Sequence, residues 1–180
     1  MRSLSYFFFA AAVCAWEPVQ ELVQEKYLGH WFQVYSDGFV EATFENHSVC
    51  VTADYGVYPN STISVLNRER VDSNMGPERR ILGWAETPNP KEPGKLQVNL
   101  QTTHFPAPYW VFELGPPTFN GSLYEYSIVS DPFGLTLFVL ARNLTEFAYT
   151  WADGVLKNLT AAGYTGLLNT PILTNQTGCW

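Results

Sequence analysis

The 180 residues suffice for a single domain with a sizeable core, and 16% of them are aromatic while only 15% are charged, which favours a β-rich body over a helical bundle. The formal net charge of −7 at pH 7 repels phosphate backbones and argues against nucleic acid as a partner. No basic run or basic amphipathic helix points to an anionic membrane surface.

The N-terminus has the pattern of a secretory leader. Arg2 supplies a positive charge, an apolar run follows over residues 4–13, and small residues come next. The run is too short to span a bilayer as a helix. A cut before Trp16 gives a leader over residues 1–15 and a single domain over residues 16–180. A cut before Val13 is the alternative, and it alone would retain Cys14. We therefore expect a secreted, extracellular protein.

Eight strand-like segments follow the leader at regular spacing. Turn residues separate them, with Pro59-Asn60 after the second segment and Asp-Pro-Phe-Gly at 131–134 before the eighth. Short strands joined by hairpin-length loops predict an all-β fold, an eight-stranded up-and-down antiparallel barrel. The predicted strands cover residues 31–38, 48–58, 62–71, 79–87, 95–101, 109–114, 122–129 and 135–142.

One helical pattern follows the last strand. Apolar residues recur along one stripe from Phe147 to Ala162, which predicts a helix over residues 146–162 that packs outside the barrel wall. An extended piece over residues 168–173 then leads towards Cys179. At the other end of the barrel, loops over residues 39–47, 72–78, 102–108 and 130–133 are expected to be flexible and to control entry.

Two residues at the ends of the strand series predict how the barrel closes. Trp31, two residues after Gly29, opens the first strand, and Arg142 ends the eighth. A guanidinium that stacks on a buried indole can cap it through cation–π contact and hydrogen bonds to nearby carbonyls. We therefore expect Gly29, Trp31 and Arg142 to close one end and to leave the other open to a ligand.

Six Asn-x-Ser/Thr sequons fit a secreted chain, because they are more than chance would place in this length. Most lie in predicted turns or at element ends, where a glycosyltransferase could reach them. Asn143, beside Arg142, is the one we expect to be modified least reliably. The six acceptor residues are Asn46, Asn60, Asn120, Asn143, Asn158 and Asn175.

Cys50 and Cys179 are a natural disulfide pair in an oxidising compartment. Closing so long a loop stabilises the fold by roughly 4–5 kcal/mol on the chain-entropy model. Two unpaired buried thiols are the alternative. A retained Cys14 would be unpaired and free to link two chains.

Seven stretches, in this order, carry a family resemblance: KYLGHW (26–31), CVTADY (50–55), ISVLN (63–67), GWA (83–85), PGKLQV (93–98), PYW (108–110) and LARN (140–143). Together they resemble the lipocalins, most closely the apolipoprotein D-like branch with its bacterial and plant temperature-induced relatives. The resemblance implies a lipocalin barrel closed by Trp31 and Arg142, with one C-terminal helix outside. It also implies a disulfide from Cys50 to the C-terminal tail, where Cys179 lies.

Two features depart from that branch. Its animal members often carry a second disulfide to the seventh strand, and the segment 122–129 has no cysteine. The branch also includes a hydrophobic cluster in the fifth-to-sixth strand loop that is thought to touch lipid surfaces. Here residues 102–107 offer only Phe105, so docking to a membrane or lipoprotein is left open.

Period-two alternation predicts which side chains line the barrel. Because Arg142 must point inward to meet Trp31, Leu140 and Phe138 share its face. A lining that is mostly apolar, with two phenols and one amide, binds a hydrophobic molecule by apolar burial, while the polar groups orient it. The alternative is that these side chains simply fill the barrel. The alternation, checked against the family pattern, predicts these ligand-binding residues: Tyr55, Val57, Ile63, Val65, Asn67, Ala85, Val98, Leu100, Tyr109, Val111 and Phe138.

Little in the sequence points to catalysis, so we expect no enzyme, no required cofactor and no metal site. His30, His47 and His104 are widely separated, and no nucleophile elbow or phosphate-binding glycine loop occurs. The leading hypothesis is a carrier of a fatty acid, a sterol or a similar lipid. A carotenoid or bilin pigment carrier, or a non-enzymatic subunit of a larger assembly with unknown protein partners, are the alternatives.

Overall fold

The computed structural model of the protein describes residues 16–118 and 120–179, so the predicted leader and Cys14 lie outside the described residues. The strands are β1 (Gly29–Asp37), β2 (Ser48–Val57), β3 (Ile63–Val71), β4 (Glu78–Glu86), β5 (Lys95–Leu100), β6 (Ala107–Leu114), β7 (Tyr126–Ser130), β8 (Leu137–Ala141) and β9 (Pro171–Leu173). The helices are α1 (Gln24–Tyr27), α2 (Gly38–Thr43), α3 (Leu144–Glu146), a π-helical segment (Phe147–Trp151) and α4 (Ala152–Ala161).

The strands form one closed antiparallel sheet. Each strand from β2 to β7 pairs with the next one in the chain, and β1 joins the two ends of this series by pairing with both β8 and β2. The predicted eight-stranded up-and-down barrel is therefore confirmed, and β9 adds a ninth strand beside β1. β1 begins at the end that Trp31 occupies, called the closed end below. The connections β1–β2, β3–β4, β5–β6 and β7–β8 lie at the opposite, open end.

The C-terminal segment completes the wall where β1 and β2 separate. β1 pairs with β2 only over residues 29–32, and β9 pairs with residues 35–37 further along. Between these two stretches the Gln176 side-chain amide donates to the carbonyl oxygens of Gln33, at 2.9 Å, and Val51, at 2.7 Å. The disulfide between Cys50 and Cys179 ties this segment to β2.

The C-terminal helix lies outside the barrel, as predicted. Phe147, Val155 and Leu159 are buried against the outer faces of β1, β7 and β8. The helix begins earlier than expected because the Asn143 side chain caps it, accepting from the Glu146 amide at 3.1 Å. Its second turn is π-helical, which the apolar stripe did not indicate.

Two expectations about the connections are wrong. Residues 39–47 are not simply a flexible loop, since α2 forms there with the Asp37 carboxylate accepting from the Val40 amide at 2.9 Å. The seventh strand begins at Tyr126 rather than residue 122, because Asn120 and Ser122 hydrogen-bond within a turn. No helix in the two described ranges is long and apolar enough to cross a membrane.

Candidate functional site

The closed end is built around Trp31 and Arg142. The Trp31 indole is fully buried and donates to the Tyr27 carbonyl at 2.9 Å. The Arg142 guanidinium carbon lies 3.5 Å from the centre of the indole ring. Gly29 adopts a φ of 92°, and a Cβ there would lie 3.3 Å from the Arg142 guanidinium, so a side chain would be strained as well as crowded.

Arg142 also ties the chain together at this end. Its donors reach five backbone carbonyl oxygens from two separate segments, which explains why the N-terminal approach to β1 is held against the end of β8. The acceptors are the carbonyls of His30 at 2.6 Å, Leu28 at 2.7 Å, Lys26 and Tyr27 at 3.2 Å, and Tyr124 at 3.3 Å.

A run of four hydroxyls crosses the barrel just inside the closed end, and we call it the phenol run. Tyr27 bonds Ser127 at 3.0 Å and Tyr109 at 2.8 Å, and Tyr109 bonds Tyr55 at 3.0 Å. Tyr55 lies on β2 and Tyr109 on β6, which are four strands apart in a ring of eight. The two phenols therefore meet across the interior and form a polar floor.

The phenol run is neutral at physiological pH. Burial raises the pKa of Tyr27 to about 12, against the opposing effects of its two hydrogen bonds and the Arg142 charge. Burial also raises the pKa of Tyr55 and of Tyr109 well above the usual value. The sequence interpretation named Tyr55 and Tyr109 but missed Tyr27 and Ser127. Alternation along β7 would have found Ser127, which shares its inner face with Val129.

The structure places most of the predicted lining inside the barrel. Tyr55, Ile63, Val65, Ala85 and Val111 are buried in one cluster with Trp31, Leu96, Val129 and Leu140. Asn67 is half-buried on the same inner face. Four further predicted residues pack against this cluster while remaining partly exposed: Val98, Leu100, Tyr109 and Phe138.

Val57 departs from the predicted set. It is the last residue of β2, and 50% of its surface is exposed at the closed end. The pairing of β2 with β1 stops at Tyr55, so no neighbouring strand covers Val57 on that side. Val57 is therefore not part of the inner lining.

A polar group that the sequence interpretation missed lies inside the barrel towards the open end, and we call Gln33, Glu45, Glu69 and Arg79 the mouth cluster. The Gln33 amide donates to the Glu45 carboxyl at 2.6 Å, Glu69 pairs with Arg79, and Arg79 also donates to Ser48 at 3.0 Å. Alternation could have identified two of these residues, because Gln33 follows Trp31 by two positions on the inner face of β1, and Glu69 follows Asn67 by two positions on the inner face of β3.

Burial raises the pKa of the Glu45 carboxyl to about 8. The Gln33 hydrogen bond and the Arg79 charge oppose this shift, while the charges of Glu69 and Glu41 add to it. Because Glu69 is paired with Arg79, the mouth cluster carries little net charge at pH 7.

The remaining predicted residues lie on the surface. All six sequon asparagines are exposed, including Asn143. Asn158 alone among them donates its side-chain amide to a carboxylate, that of Glu113 at 3.0 Å. At the open end Phe44, Phe105 and Phe133 are exposed on three different connections. Within the described residues no group of three or more His, Cys, Asp or Glu side chains is arranged to hold a metal ion.

Comparison with known proteins identifies the family of this barrel. The sequence model of the lipocalin-like domain matches residues 23–171. The chain belongs to this lipocalin-like family. It is 36% identical to mouse apolipoprotein D over 104 residues, which are 57% of this chain and 52% of that protein. The chain thus spans about half the length of the apolipoproteins D that it matches.

Other lipocalin relatives extend the match over more of the chain. The outer membrane lipoprotein Blc of Vibrio cholerae is 33% identical over 129 residues, covering 72% of this chain and 70% of that protein. Temperature-induced lipocalin-1 of Arabidopsis thaliana is 28% identical over 133 residues, covering 70% of this chain and 66% of that protein. The expected relationship to apolipoprotein D and its bacterial and plant relatives is confirmed.

Solved structures show the same fold at low identity. Lobster apocrustacyanin A1 aligns with a TM-score of 0.54 at 19% identity, over 84% of this chain and 78% of its own. The cockroach allergen Per a 4 aligns with a TM-score of 0.58 at 17% identity, over 89% of this chain and 92% of its own. At such identities the likeness concerns the fold alone.

Proposed function

We propose that the protein binds and carries a small hydrophobic ligand in the upper half of its lipocalin barrel. The observation that carries this proposal is a gradient of exposure along the inner wall. Ile63, Ala85 and Val111 are buried near the closed end, whereas Leu100 and Phe138 face inward nearer the open end and are still partly exposed. Inward-facing apolar surface that water reaches is what a hydrophobic guest would cover.

The driving force for binding is the removal of this apolar surface from water. Each Å² of apolar surface that guest and wall bury contributes about 25 cal/mol, before the cost of immobilising the guest. The phenol run and the mouth cluster bound the apolar zone below and above. Fatty acids and sterols, which are largely apolar with a polar group at one end, are therefore the first classes to examine.

We also propose that the protein works outside the cell as a glycoprotein. The leader pattern over residues 1–15, the disulfide between Cys50 and Cys179, and the exposure of all six sequon asparagines support this setting. Expression in a eukaryotic secretory system, with enzymatic removal of N-glycans, should yield secreted protein whose mass falls on treatment. Retention inside the cell without glycan would contradict this part of the proposal.

The binding proposal is tested by titrating the protein with a panel of fatty acids, sterols and related lipids, followed by tryptophan quenching and native mass spectrometry. We expect at least one lipid to bind with micromolar affinity. Leu100→Glu, which places a charge on the inner wall, should weaken it more than about tenfold. Leu82→Glu is the matched control, because Leu82 lies on the outer face of β4 with 45% of its surface exposed.

Two results would count against a lipid carrier. The first is a failure of every lipid to bind more tightly than millimolar. The second is an equal loss of affinity in Leu82→Glu and Leu100→Glu, since only Leu100 faces the interior. Visible absorbance in protein purified from its natural source would favour a pigment as the guest instead.

A further inference from the structure

The phenol run has hydrogen-bonding capacity that the protein itself does not use. Its four hydroxyls, in the order Ser127, Tyr27, Tyr109 and Tyr55, are joined by three hydrogen bonds. Each hydroxyl carries one hydrogen, so three bonds leave one hydrogen over. Within the described residues neither Ser127 nor Tyr55 has a second side-chain hydrogen-bond partner.

The spare hydrogen belongs at an end of the run. If it were on Tyr27 or Tyr109, that hydroxyl would accept a hydrogen bond from each of its two neighbours, and its own hydrogen would be buried without an acceptor, which is costly. Ser127, at one end, is fully buried, whereas Tyr55, at the other end on the inner face of β2, keeps 9% of its surface exposed. The whole run can reverse direction, so that Tyr55 can either donate or accept a hydrogen bond.

A charged group is poorly matched to this position. The three phenols are neutral, and among the described residues no Lys or Arg donates a hydrogen bond to the run. Arg142, the nearest cation, is engaged by five backbone carbonyl oxygens at the closed end. A carboxylate brought to Tyr55 would lose its water and gain one neutral donor, and such burial of a charge is expensive.

We propose that Tyr55, at the end of the phenol run, receives the neutral polar end of the ligand, a hydroxyl or a carbonyl group. The ligand enters polar end first, and its apolar body lies against Leu100 and Phe138. This inference rests on the proposed function and narrows it to lipids that carry an uncharged hydrogen-bonding group at one end. A carbonyl accepts from Tyr55 when the run points towards the lumen, and a hydroxyl can bond in either direction.

The test compares four ligands of equal chain length: a primary alcohol, a methyl ketone, the carboxylic acid and the alkane. For the wild-type protein at pH 7 we expect the alcohol and the ketone to bind about tenfold more tightly than the alkane and than the ionised acid. Tyr55→Phe removes the hydroxyl and keeps the ring. It should abolish this preference and leave alkane affinity within about twofold of wild type.

Tyr149→Phe is the matched control, because it makes the same chemical change at a side chain that is 89% exposed on the outer helix. It should retain the full preference. A second measurement needs no variant: the infrared carbonyl stretch of the bound ketone should move to lower wavenumber in the wild-type protein, as expected for an acceptor of a phenol hydrogen bond. This keeps the test decisive even if Tyr55→Phe fails to fold.

The outcomes separate this inference from the proposed function. If all four ligands bind equally well, or the acid binds best, the barrel is a lipid carrier but the role of Tyr55 is overturned. An unshifted carbonyl stretch overturns it as well. If none of the ligands binds, the proposed function falls together with the inference. A tenfold preference that disappears in Tyr55→Phe and persists in Tyr149→Phe supports both.

Discussion

Replacing Arg142 with Met is the sharpest test of how the barrel is closed. Methionine has a similar reach but no charge and no donors, so the substitution removes the stacking on Trp31 and every bond to the backbone carbonyls. The closed end would then have to be held by the remaining strand pairing and by apolar burial of Trp31.

The magnitude follows from the contacts that are lost. A partly desolvated cation–π contact at 3.5 Å contributes about 1–2 kcal/mol. The two short hydrogen bonds, to His30 at 2.6 Å and Leu28 at 2.7 Å, add about 1–1.5 kcal/mol each. The three longer bonds, at 3.2–3.3 Å, are weaker and are not counted separately. We therefore expect the free energy of unfolding to fall by about 3–5 kcal/mol.

Urea unfolding, followed by tryptophan fluorescence and far-ultraviolet circular dichroism, measures this loss. With a slope of about 2 kcal/mol per molar urea, the midpoint should fall by about 2 M without a change in slope. Arg142→Lys keeps the charge but cannot reach the same carbonyls from one planar group, so it should fall between wild type and Arg142→Met. Arg80→Met, on the exposed outer face of β4, should leave the midpoint unchanged.

The reasoning would be refuted by a loss below about 1 kcal/mol in Arg142→Met, because the contacts would then contribute little beyond what water supplies. It would also be refuted if Arg142→Lys matched the wild-type protein. That result would mean that a point charge suffices and that the planar, branched donor set has no special role.

Three further predictions concern other parts of the fold. Cys179→Ser should lower the free energy of unfolding by up to about 5 kcal/mol and speed amide exchange in β9, because it removes a disulfide that spans 129 residues. An unchanged urea midpoint would contradict this prediction. The pKa of Glu45 is about 8 when folded and near 4.5 when unfolded, so its contribution is fully present below pH 4.5 and is lost as the pH rises through 8. Stability measured from pH 5 to 8.5 should therefore fall less in Glu45→Gln than in wild type, and parallel curves would count against a buried carboxyl. Gly154→Ala should raise the free energy of unfolding by about 1 kcal/mol, and with it the melting temperature, because Gly154 lies within α4 and an added Cβ would meet open space. A lower melting temperature would show that the site is crowded.

Much of the fold could be predicted because its signals are local. Alternation and turn residues located all eight barrel strands, most of them to within two residues. The seventh strand was placed too early, since the turn around Asn120 depends on side-chain hydrogen bonds that alternation does not report. The short helix α2 was missed because its N-cap, Asp37, falls inside the predicted strand over residues 31–38, with a predicted loop directly after it.

The candidate site was predictable only in part. Alternation marked Tyr55, Leu100 and Phe138 as inward-facing, but it also marked Val57, which is half-exposed because its neighbouring strand has ended. Glu69 shares the inner face of β3 with Val65, yet a charged residue was not considered as part of an apolar lining. Its burial is tolerable only because Arg79 lies beside it.

The sequence by itself determined which segments become strands and which of their faces are apolar. These properties depend on neighbours along the chain. Only the tertiary structure decided that Tyr55 and Tyr109 meet across the barrel, that Glu45 is buried beside Gln33, and that Gln176 bridges β1 and β2. Each of these contacts joins residues at least 12 positions apart in the sequence, so it depends on how the chain folds back on itself, through strand register and closure of the sheet, which no local pattern encodes.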